Sequence, residues 1–115
     1  MQTPREAVLL RIYTSEQKKF GRVPLYEAIV TKARERHLAG ATVLRGPLGY
    51  GHDSRIHTAK ILDLSYDLPV VIEIADQPDK IEAFLPVLEG MVGNGLVRLE
   101  KGQVLHYGPP TGQAP

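Results

Sequence analysis

Two copies of one pattern, a strand-like apolar run, an amphipathic helical repeat and a second strand-like run, leave this chain few architectures. The first run, Ala7-Val8-Leu9-Leu10-Arg11-Ile12-Tyr13, is short, mostly apolar and rich in strand formers, which reads as a strand buried on one or both faces. Pro24 is placed for a helix start, and Leu25, Ile29 and Ala33, with Tyr26, Val30 and His37, recur at three- and four-residue spacing. That repeat predicts a helix closed near Gly40 by a left-handed cap. Residues 41–44 supply a second strand, and the turn residues of 46–51 end regular structure and open a loop.

The second copy begins at residues 68–74, where Pro69 fits only the start of a strand or an edge. Asp76 reads as the cap of a helix whose apolar stripe is Ile81, Phe84, Leu85 and Leu88, with a kink expected at Pro86. Gly90, Gly93 and Gly95 then break the chain, and residues 97–107, interrupted by Gly102, return as one bent strand or two short ones. The expectation is an α+β, ferredoxin-like βαββαβ sandwich: a four-stranded antiparallel sheet with two helices on one face. One domain is expected over residues 1–115, with its core at about 6–107 and a flexible tail at 108–115. Helices on one face leave the other bare, so apolar residues alternating onto it call for a partner surface and hence an oligomer.

Composition narrows the function classes. Lys and Arg total 14 against 13 Asp and Glu, with Lys18-Lys19 the only like-charge run that stands out, which argues against nucleic acid as the main partner. The absence of cysteine excludes a disulfide framework, thiolate metal sites and a cysteine nucleophile. No apolar stretch approaches the roughly 20 residues needed to cross a bilayer, so a cytoplasmic location without direct membrane insertion is expected.

Four separated segments then stand in a familiar order: Gly21-Arg22-Val23-Pro24-Leu25-Tyr26-Glu27-Ala28, Gly40-Ala41-Thr42-Val43-Leu44-Arg45-Gly46, Ser54-Arg55-Ile56-His57-Thr58-Ala59 and Asp67-Leu68-Pro69-Val70-Val71-Ile72-Glu73-Ile74. Together they resemble the PII-like family catalogued as domain of unknown function 190, over nearly the whole chain. The resemblance implies a homotrimer related to the nitrogen-regulatory PII signalling proteins. It also implies a small anionic ligand, ATP, ADP or AMP, held between subunits, and a long loop, here about residues 46–66, that engages a partner. A membrane transport protein is the partner class it suggests. The ligand-contacting positions it points to are Arg45, Gly46, Gly90, Gly93, Asn94, Gly95 and His106. The sequence departs from PII proteins where those carry a lysine in the glycine-rich turn, since Met91 and Leu96 occupy the basic positions.

The densest set of reactive groups is His52, Asp53, Ser54, Arg55 and His57. The simplest expectation is a solvated recognition loop presenting Tyr50, His52, Asp53, Arg55 and His57 to a partner. The alternative is a metal-binding or enzymatic protein using His52, Asp53 and His57, although their spacing matches no established zinc signature and no nucleophile or oxyanion feature accompanies them. The leading expectation is therefore a signalling or sensor module with no catalytic and no metal-binding residues. A purely structural trimer is the third option.

Overall fold

In a computed structural model, residues 3–51, 56–58 and 67–105 are described. In chain order the elements are β1 (Arg5–Ser15), β2 (Lys19–Phe20), β3 (Val23–Pro24), α1 (Leu25–Glu35), β4 (Thr42–Arg45), β5 (Leu48–Gly49), β6 (His57–Thr58), β7 (Pro69–Asp76), α2 (Pro78–Val92) and β8 (Leu96–Val104). The main sheet has the order β4-β7-β1-β8, every neighbouring pair antiparallel. This is the four-stranded ferredoxin-like sandwich expected from the repeated pattern, with two small two-stranded ribbons, β2-β3 and β5-β6, added to it.

Period-2 alternation on the two central strands divides the sheet into a packed face and an open one. Leu10 pairs with Ile74 and Ile12 with Ile72. All four are fully buried and pack with Leu25, Ile29 and Ala33 of α1 and Ile81, Phe84, Leu88 and Val92 of α2 in one core. Each helix therefore buries residues three or four apart along a single stripe, and both stripes meet the same sheet face. Pro69 is the first residue of β7, where its missing N–H costs least.

Four boundaries differ from the sequence expectation. The left-handed residue after α1 is His37, with φ 59, and not Gly40. Asp76 does not cap α2, whose N-cap is Gln77 with no side-chain bond. Its buried carboxylate instead accepts the N–H of Ala39 through Oδ2 at 2.8 Å and that of Gln77 through Oδ1 at 2.7 Å, clasping the turn after α1 to the start of α2. The helix also continues through Pro86, which is exposed so that water can satisfy the carbonyl freed by its missing N–H. Gly90 consequently lies inside α2 rather than in the turn that follows it.

Candidate functional site

One end of the sheet gathers three features: the end of β4 with the loop it opens, the turn between α2 and β8, and an apolar row on the open face. At the first, the Gly46 N–H donates to the Pro69 carbonyl at 2.8 Å. A Cβ added at Gly46 or Gly49 would stand 3.2 Å from Pro69 Cγ, so both glycines let the loop base close tightly over the start of β7. Arg45 points outward, 60% exposed, and its Nη2 meets Glu16 Oε2 at 2.8 Å. The guanidinium proposed as an anion contact thus already has one carboxylate partner.

At the second, Gly93 ends α2 with φ 56 and ψ −117, a conformation open only to glycine. The Gly95 N–H donates to the Val92 carbonyl at 2.9 Å, and a Cβ at Gly95 would lie 3.2 Å from that oxygen. Gly93, Asn94 and Gly95 are all exposed, and a Cβ at Gly93 would meet nothing within 4 Å, so the backbone there is open to approach.

The third feature follows from register. Leu44 pairs with Val71, Val71 with Tyr13 and Tyr13 with Leu96, so these four side chains form one row across all four strands on the open face. Leu44 is 49% and Leu96 63% exposed. The next row along that face is charged. Arg11 Nε donates to Glu73 Oε2 at 2.9 Å and Arg11 Nη1 to Glu100 Oε2 at 3.0 Å, with Arg98 3.6 Å from Glu100. The hydrogen bond to Glu73, helped by the nearby Glu100 charge, raises the Arg11 pKa above its ordinary value and keeps the guanidinium charged. Towards the opposite end a hollow of about 360 Å³ opens among Leu9, Ala41, Thr42, Glu73, Ala75 and Val104.

Within one chain these pieces do not converge. Arg45 and Gly46 stand at the β4 edge and Gly95 at the start of β8, the opposite edge, three strand spacings or roughly 14 Å apart. Of the loop residues, Tyr50 is 72% exposed, and Leu48 and Ile56 are similarly exposed. The backbone of His57 pairs with Gly49. His52, Asp53, Arg55 and His106 lie outside the described residues. Sequence reasoning missed Glu16 as the partner of Arg45, since the end of β4 and the residue after β1 are brought together only by β7, which pairs with both strands. It expected apolar residues on the bare face without naming this row, for which alternation along residues 7–13 was the available signal.

The sandwich is a fold that this chain shares with solved PII-like proteins. Solved structures with the same fold include CPII, a nitrogen regulatory PII-like protein from Thiomonas intermedia K12 bound to ADP, AMP and bicarbonate (TM-score 0.62, 18% identity, 92% of this chain and 94% of that one). Another is a PII-like signalling protein from Thermus thermophilus (TM-score 0.64, 15% identity, 91% and 94% covered). The chain belongs to the family DUF190, described as uncharacterized ACR, whose model matches residues 7–104. A UPF0166 protein of Aquifex aeolicus is 44% identical over 98 residues, covering 85% of this chain and 92% of that protein.

Proposed function

We propose that this protein is a PII-like signalling or sensor module, a regulator rather than an enzyme, that binds an adenine nucleotide between copies and acts on a partner through the 46–66 loop. The observation that carries the reading is the placement of the two half-sites at the same end of the sheet but on opposite edges. Copies packed through the Leu44-Val71-Tyr13-Leu96 row in a ring of three would bring the β4 edge of one beside the Gly93–Gly95 turn of the next. The nucleotides bound by CPII support an adenine ligand for this fold. A cytoplasmic location and a membrane transport protein as partner belong to the same reading.

The glycine turn supplies backbone N–H groups but no lysine, because Met91 and Leu96 stand at the basic positions. A missing charge-assisted contact of about 1.5–3 kcal/mol weakens binding roughly tenfold to a hundredfold, which puts the expected affinity for ADP or AMP in the micromolar to millimolar range. Calorimetry with ATP, ADP and AMP tests this, and no heat with any of them at millimolar concentration overturns it. Valine at Gly93 would be an ambiguous probe, since φ 56 strains any side chain there. Asn94→Glu is cleaner: it sets a carboxylate at the proposed phosphate position on an exposed residue, and should cut affinity at least tenfold while leaving the melting temperature unchanged.

A further inference from the structure

We propose that the β2-β3 hairpin is a peripheral docking element for an anionic phospholipid surface, separate from both the 46–66 loop and the glycine turn. Phe20 pairs with Val23 across a two-residue turn, Gly21-Arg22, in which Gly21 takes φ 65 as the first central residue of a primed hairpin turn requires. The result is a short, convex projection. Lys18, Lys19 and Arg22 are exposed on it, and among the described residues none of them forms an ion pair.

Two carboxylates stand at the base of the hairpin. Glu16 is bound to Arg45 at 2.8 Å, and Asp67 Oδ1 accepts the Gln17 N–H at 2.7 Å. Glu16 is thereby neutralised by Arg45, while Lys18, Lys19 and Arg22 stand outside every ion pair among the described residues. Between the cations stand two apolar side chains, Phe20 at 43% and Val23 at 45% exposure, and neither belongs to the core or to the residues packed against it. Cations flanking an aromatic group on a convex tip fit a lipid headgroup layer, which receives both the charge and the ring. A peptide partner would instead require a groove, which a two-residue turn does not offer.

The hairpin packs beside α1, on the helix side of the molecule, so copies covering the open sheet face would leave it accessible. Each cation near an anionic leaflet contributes roughly fivefold to partitioning, which makes a single tip a weak, reversible contact. A rotationally symmetric ring would hold its tips at one height along the axis and strengthen the contact by avidity. This is attachment to a surface and involves no membrane-crossing segment; among the described residues no helix is long and apolar enough to cross.

Co-sedimentation of the full chain with vesicles of phosphatidylcholine plus phosphatidylserine tests the proposal, with pure phosphatidylcholine vesicles as control. Binding is expected only to the mixed vesicles and should fall as salt rises. Reversing two cations, in Lys19→Glu combined with Arg22→Glu, should lower partitioning at least roughly 25-fold. Phe20→Ser should lower it several-fold while preserving the salt dependence. Both variants alter exposed residues, and an unchanged circular dichroism melt verifies that they fold. Equal binding to both vesicle types, binding unaffected by the charge reversal, or binding unaffected by Phe20→Ser overturns the proposal. So does retention by immobilised polyglutamate without retention by the mixed vesicles, which would make the tip a site for acidic polypeptide instead.

Discussion

His37 occupies a left-handed backbone conformation, φ 59, that a residue with a Cβ adopts at a cost of about 1–2 kcal/mol. Its place just after α1 is where glycine is favoured, yet the nearest glycine in sequence, Gly40, is not in that conformation. His37→Gly should therefore stabilise the protein by about 0.5–1 kcal/mol once the greater freedom of glycine in the unfolded chain is subtracted, seen as a higher midpoint in urea. Asp76 acts in the opposite sense. Its buried carboxylate satisfies two backbone N–H groups, that of Ala39, 37 residues before it, and that of Gln77 at the start of α2. Asp76→Ala should cost about 2–4 kcal/mol by leaving those donors short of partners, and amide exchange at Ala39 should accelerate more than at the core residues Ile72 and Ile74.

At the scale of elements, the alternation in β1 and β7 decides which substitutions matter. Ile72 is fully buried between both helices, so Ile72→Ala should destabilise by about 2–5 kcal/mol in denaturant unfolding. Its neighbour Val71 faces the other way and should tolerate Val71→Ala with a far smaller loss as long as that face is uncovered. The two helices and four main strands were legible because period 2 and period 3.6 are written in residues such as Leu10, Ile12, Ile29 and Ile81. The β2-β3 ribbon was not, because two residues per strand carry no periodicity and Phe20-Gly21-Arg22-Val23 reads equally well as plain loop. Gly90 misled for a related reason. Glycine lowers helix propensity by about 1 kcal/mol, and the buried Leu88 and Val92 on either side of it outweigh that cost. The turn between α2 and β8 was placed correctly from Gly93 and Gly95, whereas the pairing of Arg45 with Glu16 depends on strand order and register, which no local pattern encodes.

For the molecule as a whole, the open sheet face is the feature that asks for more than one copy. A row of apolar side chains across four strands, bordered by charges that already satisfy one another, can be covered without stranding an unpaired ion. Light scattering at micromolar concentration should give about three times the 12.7 kDa chain mass. Leu44→Asp combined with Leu96→Asp should return a single-chain mass with secondary structure intact, because both positions are exposed in the isolated fold. A wild-type chain that scatters as one copy would remove the basis for a site between subunits, and with it the nucleotide reading.

The register of β1 has a temporal consequence. This strand is synthesised first, yet its two neighbours in the sheet are β7 and β8, the last strands to be made. At about 5–20 residues per second, several seconds separate the emergence of Leu10 and Ile12 from the arrival of β8, whose Leu99 and Val97 pair with them. Until β7 is made this strand has no hydrogen-bonding partner in its own sheet, and a nascent chain ended before residue 96 leaves one of its edges open for good. Closing loops of this length before any pairing is rewarded makes folding slow for so small a chain.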